Sequence, residues 1–192
     1  MADPVSVQRC GWATSAPEYV RYHDEEWGTP LRGDDALFER VCLEAFQSGL
    51  SWITILRKRP AFRAAFVGFA IDAVADFTAD DVERLMADSG IVRNRAKITA
   101  AVGNARAARQ VPGGLSELLW SFAPTGPRHR PQTMADVPAT SPESVALAKD
   151  LKRRGFSFVG PTTAYALMQA TGMVDDHVVP CFRASEPDHS GG

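Results

Sequence analysis

Lys152-Arg153-Arg154-Gly155-Phe156-Ser157-Phe158-Val159-Gly160-Pro161-Thr162-Thr163 reads as a tight turn between two helices. Ser141-Pro142 opens the first helix and Gly155 ends it; Pro161 opens the second, which ends at Gly172. Glycines at both ends of the turn permit tight geometry and close approach. Phe156, Phe158 and Val159 are expected to anchor it in the core. The free amides and dipole of the second helix favour an anion such as phosphate near Thr162 and Thr163. Lys152, Arg153 and Arg154 add positive charge beside it. The unit fits a helix-hairpin-helix over about residues 143–171, a motif that holds a nucleic-acid backbone without reading its sequence. An ordinary αα-hairpin fits the local sequence equally well. On the first reading Gly155, Gly160, Thr162 and Thr163 are the backbone contacts.

Outward from this hairpin the pattern stays helical. Asp34 to Ser48 carries Leu37, Phe38, Val41, Cys42 and Ala45 on one stripe. Ser51 to Arg59 predicts a short helix, with Pro60 placed as the first residue of another. Thr78-Ala79-Asp80-Asp81 resembles a capping sequence for a helix ending near Gly90. Asn94 caps the next, which runs to about Gln110. No segment alternates with period two over a strand's length, so the expected fold is all-α. Residues 9–183 are expected to form one domain, with a proline-rich surface loop at Ala123 to Pro138 and a frayed tail at 184–192.

Bulk composition narrows the classes. A chain of 192 residues, 45% hydrophobic, suffices for a sizeable core. A formal net charge of -2 excludes a molecule that is basic all over, so any nucleic-acid surface must be local. Charges do segregate. Asp24, Glu25, Glu26, Asp34, Asp35, Glu39 and Glu44 make the first quarter acidic. Arg57, Lys58, Arg59 and Arg63 are basic, as are Arg93, Arg95 and Lys97, and later Lys149 and Lys152 to Arg154. Each basic group reads as a DNA-facing patch or a solvated helix face. Three cysteines, with no apolar leader at Met1 to Arg9, argue against a disulfide framework. No apolar run suits a membrane span. A monomer in a reducing cytoplasm is expected.

Four soft ligands sit near the chain ends: Cys10 and His23, then His177 and Cys181. His177 and Cys181 fall one helical turn apart and can face one ion. Two Cys with two His is a normal tetrahedral structural zinc set, although the spacing is not that of a common zinc finger. Singly, His23 reads as a core or surface histidine and Cys10 as a small buried hydrophobe. The other histidines, His129 and His189, lie in proline- or glycine-rich segments. The ion would act as a clasp on both chain ends. With four protein ligands it has no open position for water.

Longer motifs then carry a resemblance. Gly90 to Ile98, the hairpin, and Val174-Asp175-Asp176-His177-Val178 follow one another as in endonuclease III-like glycosylases, whose catalytic aspartate lies in such a Val-Asp-x-His segment. Arg9-Cys10-Gly11-Trp12, Tyr22-His23-Asp24-Glu25-Glu26-Trp27-Gly28, Cys42-Leu43-Glu44 and Gln47-Ser48-Gly49-Leu50-Ser51-Trp52 resemble the 3-methyladenine DNA glycosylase I family. So does Arg154-Gly155-Phe156-x-Phe158-Val159-Gly160, with Tyr165, Met168, Gln169 and Asp176-His177. The match spans roughly residues 9 to 183.

The resemblance implies a two-lobed helical helix-hairpin-helix glycosylase with structural zinc at Cys10, His23, His177 and Cys181. Its partner is double-stranded DNA carrying alkylated bases. It implies Glu44 as the carboxylate contacting a flipped base, Tyr22 and Trp52 as a sandwich, Trp12, Tyr19 and Trp27 as lining, and Leu50 as a plug in the duplex. From position alone, the favoured reading of Glu44 is a salt bridge to a neighbour such as Arg40. A 3-methyladenine nucleotide is cationic and its base leaves neutral, so aromatic rings and a carboxylate suit it without a strong general acid. Ser157 to Thr163 holds no lysine for a Schiff base, so a monofunctional enzyme is expected. Asp175, where the family often carries asparagine, either supports the sugar cation or caps the segment bearing His177. The rivals are a glycosylase with another or wider alkylated-base preference, 3-methylguanine included, and a non-catalytic zinc protein that binds damaged DNA.

Overall fold

The helical stripes of the sequence pack around the second of them. A computed structural model describes residues 7–126 and 130–184; His129, His189 and residues 185–192 of the expected tail lie outside these. Among the described residues there is no strand, and the helices are α1 (Pro17–Glu25), α2 (Asp34–Gln47), α3 (Trp52–Ala65), α4 (Ile71–Ala75), α5 (Ala79–Ala87), α6 (Arg95–Arg109), α7 (Leu115–Trp120), α8 (Pro142–Arg153) and α9 (Pro161–Ala170). Short 3-10 turns at Gly11–Thr14, Val67–Phe69 and Met134–Asp136 join them. The all-α expectation is met.

Several boundaries follow from their caps. The Thr78 amide donates to Asp81 Oδ2 at 2.9 Å, completing a reciprocal box at the start of α5. Asn94 Oδ1 accepts from the Lys97 amide at 3.1 Å and opens α6. Ser141 and Ser144 box the start of α8. The expected break at Pro60 does not occur, and α3 runs through it. Proline there has no N–H to donate a hydrogen bond to the Leu56 carbonyl. Burial of Ile55 and Leu56 before it, and of Phe62 and Ala65 after it, outweighs that loss while Pro60 faces solvent.

α2 is the centre of the core. Its Leu37, Phe38, Val41, Cys42, Leu43 and Phe46 are buried against α3, α6, α7 and α9. A second, smaller apolar cluster gathers Cys10, Tyr22, Trp27, Leu56, Ala170, Val178 and Cys181. Trp52, at the start of α3, packs on both clusters. The seam between them is where the candidate site opens.

The hairpin turn departs from expectation in one respect. Phe156 is buried, but Phe158 is 44% exposed. Phe158 adopts φ +59°, the left-handed region that a bulky residue rarely enters, and this swings its ring outward. Gly155, at φ +97°, supplies the turn that other residues resist. The anchor is polar instead. Asn104, buried on α6, accepts from the Ser157 amide at 2.8 Å and donates to the Ser157 carbonyl at 3.1 Å.

The acidic first quarter is largely consumed by the basic groups. Glu26 accepts from Arg40 and Arg59, Glu39 from Arg63, Glu18 from Arg57 and Asp24 from Arg9. No helix of the described residues is long and apolar enough to cross a membrane.

Candidate functional site

A cavity of about 560 Å³ opens at the seam, lined by Trp12, Tyr19, Tyr22, Trp27, Glu44 and Trp52. Ser15, Gln47, Met134, Val137, Ala166 and Gln169 complete the wall. All six residues expected to contact or line a base therefore share one space. The Tyr22 and Trp52 rings lie 5.5 Å apart, centroid to centroid, tilted by 53°. They form adjoining walls rather than parallel plates. The Tyr19 hydroxyl accepts from the Ile53 amide at 3.0 Å, which ties α1 to the turn of α3 carrying Trp52.

Glu44 is the group that most needs explanation. It projects from α2, is 5% exposed, and has no hydrogen bond or ion pair with any described residue. The alternative reading, a salt bridge to Arg40, is not formed: Arg40 is taken by Glu26, which also holds Arg59 at 2.6 Å. Burial alone would raise the Glu26 carboxyl, but the hydrogen bonds from Arg59 and Arg40 outweigh it and hold it down at about 2. Glu44 has no such help. Desolvation pushes it up to about 8, against a smaller pull from the Arg40 charge. The cavity thus holds a neutral carboxyl group at pH 7, poised to ionise if a cation enters.

Behind the aromatic wall, Cys10, His23, His177 and Cys181 converge, all buried, with one ligand atom from each within 4.8 Å of the others. The distances are 3.3 Å from Cys181 Sγ to His23 Nε2, 3.6 Å from Cys181 Sγ to His177 Nδ1, and 3.7 Å from Cys10 Sγ to His177 Nδ1. Tetrahedral zinc bonds of about 2.3 Å to sulfur and about 2.0 Å to nitrogen separate such atoms by about 3.5 Å. The remaining ring nitrogens are oriented from outside. His23 Nδ1 meets Asp24 Oδ1 at 2.8 Å, Arg9 clamps Asp24, and His177 Nε2 meets the Trp27 carbonyl at 3.3 Å. Desolvation lowers the His177 imidazole to about 4, keeping it in the neutral form a metal ligand needs. Gly28 explains its place in the motif: at φ +75°, a Cβ there would meet His177 Nε2 at 2.7 Å. The group could hold a metal ion.

Other expected residues lie elsewhere. Asp175 is outside the cavity wall; its Oδ1 accepts from the His177 amide at 3.1 Å, and Arg130 Nη2 stands 3.5 Å from its Oδ2. This contact is of the kind the local-capping alternative expects. Leu50 is 40% exposed, in a turn closed by the cavity residue Gln47, whose Nε2 donates to the Leu50 carbonyl at 3.0 Å. Gly155, Gly160 and Thr162 are exposed on the hairpin and Thr163 is half-buried. No side chain caps the start of α9. Met134 and Val137 come from the proline-rich segment read as a surface loop, and nothing periodic marks them as cavity residues.

A family model for methyladenine glycosylase matches residues 12–184. The chain belongs to the methyladenine glycosylase family. Among curated methyladenine glycosylases, DNA-3-methyladenine glycosylase 1 of Escherichia coli (strain K12) is 47% identical over 183 residues, 91% of this chain and 96% of that one. The crystal structure of a 3-methyladenine DNA glycosylase I matches with TM-score 0.87 at 45% identity, covering 92% of this chain and 99% of that chain. A Staphylococcus aureus 3-methyladenine DNA glycosylase I, solved for the structural basis of 3-methyladenine recognition, matches with TM-score 0.85 at 38% identity over 90% and 94% of the two chains. The fold of this methyladenine glycosylase is therefore that of its relatives.

The Glu44 environment sets a pH dependence of stability. The folded carboxyl binds its proton up to about pH 8, the unfolded one only to about 4.5. Its contribution is fully present below the lower value and is lost as pH rises through the upper one. Glu44→Gln is expected to match wild type in stability below pH 4.5 and to exceed it progressively toward pH 8, by on the order of a few kcal/mol. Denaturant melts of both proteins across that range check this.

Proposed function

We propose that the protein is a DNA-3-methyladenine glycosylase I, a monofunctional hydrolase that cuts the N-glycosidic bond of alkylated adenine in DNA and so begins base excision repair. The observation carrying this reading is the buried, unpartnered Glu44 carboxyl in the same aromatic cavity as Tyr22 and Trp52. The relatives' names and the recognition structure point to the same base. The proposal keeps residues 9–183 as one domain acting as a monomer in the cytoplasm.

The chemistry follows from charge. A 3-methyladenine base flipped into the cavity is a cation. It stacks on one aromatic wall and meets the edge of the other, worth about 0.5–2 kcal/mol per good cation–π contact. Its charge lowers the Glu44 pKa, so the ionised carboxylate becomes its counter-ion. Neutral adenine brings no charge and leaves Glu44 protonated, which discriminates against it. As the bond from the sugar C1′ to the ring nitrogen breaks, its electron pair stays with the base, which leaves neutral. Water adds to C1′ and gives up a proton, leaving an abasic site.

DNA is held by the surface around the cavity mouth. Leu50, exposed in the turn between α2 and α3, is assigned as the plug that fills the space vacated by the base. The hairpin from α8 to α9 is read as a helix-hairpin-helix, with Gly155, Gly160, Thr162 and Thr163 presenting backbone to phosphate. Lys149 and Lys152 are exposed there without an ion-pair partner among the described residues, whereas Arg153 and Arg154 both engage Asp150. Asp175 is assigned to holding the His177 segment.

Zinc at Cys10, His23, His177 and Cys181 would be structural: bound by four protein ligands, it supplies folding free energy and no Lewis-acid site for substrate. The protein purified from zinc-containing medium is expected to carry one zinc per chain by elemental analysis. Cys181→Ser is expected to lower that content and the melting temperature together. A full-length protein with less than about a tenth of an equivalent of zinc and unchanged melting on added zinc would remove the clasp.

Base release from methylated DNA tests the function directly. Wild type is expected to release 3-methyladenine, and Glu44→Gln to reduce its rate roughly a hundredfold or more, the effect of removing a buried charge partner. Equal rates would take Glu44 out of the mechanism.

A further inference from the structure

The cavity wall holds one more polar group whose direction is set by the protein. Gln169, on α9, lines the cavity. Its Nε2 donates to Asp176 Oδ2 at 2.8 Å, and the Tyr165 hydroxyl donates to the same oxygen at 2.6 Å. Asp176 is 2% exposed and Tyr165 1%. A carboxylate accepts and cannot donate. The Gln169 amide must therefore present nitrogen to Asp176, which turns Oε1 away from it. No described residue donates to that oxygen.

This gives the cavity two polar groups of different character. Glu44 changes from donor-and-acceptor to acceptor as it loses its proton. Gln169 is an acceptor whatever enters, because Asp176 keeps its amide from turning over. A fixed acceptor discriminates between ligands that differ by exchange of a donor for an acceptor. Adenine and guanine differ in this way at position 6, where one carries an amino group and the other a carbonyl oxygen.

We propose that Gln169 Oε1 is a specificity-determining acceptor for the 6-amino group of the flipped methylated adenine, and that Asp176 is the positioning residue that fixes it. The inference rests on the glycosylase reading above. The 6-oxygen of 3-methylguanine would face another acceptor and be repelled. Asp176→Asn would keep both donors on one oxygen and leave Gln169 as it is, so the informative change is Asp176→Leu, which removes the shared acceptor without emptying its space. The Gln169 amide is then free to turn over and offer Nε2 to the cavity, which suits a 6-oxygen.

The experiment measures initial release of 3-methyladenine and 3-methylguanine from the same methylated DNA by wild type, Asp176→Leu and Gln169→Met. Guanine's 2-amino group is common to every comparison and drops out of the change in ratio. The 3-methyladenine to 3-methylguanine ratio is expected to fall roughly tenfold or more in both variants, with absolute 3-methylguanine release higher in Asp176→Leu than in Gln169→Met. A purely structural effect would slow both releases alike and leave the ratio at the wild-type value, which overturns the proposal. If Asp176→Leu does not fold, the ratio for Gln169→Met, changed at a half-buried position, decides alone. Wild type releasing neither base would overturn the glycosylase reading instead.

Discussion

A carboxyl group buried without a partner is costly, and proteins rarely keep one. Glu44 sits on the helix that centres the core, walled by Tyr22 and Trp52, with its natural partner Arg40 occupied by Glu26. Around this desolvated acid the other features take their places. The aromatic rings supply electron-rich faces but no hydrogen bond that would satisfy it. The Glu26 pair with Arg40 and Arg59 draws the nearest cations away. What remains is a desolvated carboxyl that a positive charge would stabilise in its ionised form.

The Cys and His cluster bears on the same cavity through shared residues. Trp12 follows Cys10 by two positions, and its ring lies 5.4 Å from that of His23 and 5.2 Å from that of Trp27. Trp27 receives His177 on its carbonyl and packs its ring 4.6 Å from the same imidazole. A change in the cluster therefore moves the rear wall of the cavity. Cys10 and His23 meet His177 and Cys181 there, so the geometry of the wall depends on contacts between residues far apart in the sequence. Gly28 belongs to this constraint, since its lack of a side chain is what lets His177 approach.

Residue type and local order made part of this legible beforehand. The four soft ligands could be read because few other side chains bind such a metal. Helices opening at Thr78, Asn94, Ser141 and Pro161 could be read because capping is local chemistry. Pro60 misled because its local cost is smaller than the burial of Ile55, Leu56, Phe62 and Ala65 around it. Phe158 misled because an apolar residue in a turn gives no sign of its φ, and the polar anchor, Asn104, lies on a distant helix. Met134 and Val137 reach the cavity from a segment without periodicity. The position of Gln169 within a motif was visible, but the direction of its amide depends on Asp176, and that is a fact of packing. Glu44 stood between two readings until the structure showed where Arg40 had gone.

The central claim is that Glu44, between the Tyr22 and Trp52 walls, is what the methylated base meets. A crystal structure of the protein with abasic-site DNA and 3-methyladenine tests it most directly. The account predicts the base in the seam cavity, stacked on Tyr22 or Trp52, with a Glu44 oxygen within hydrogen-bond distance of its ring edge. Base density elsewhere on the molecule, or in the cavity with Glu44 turned away and paired to a protein group, would contradict it.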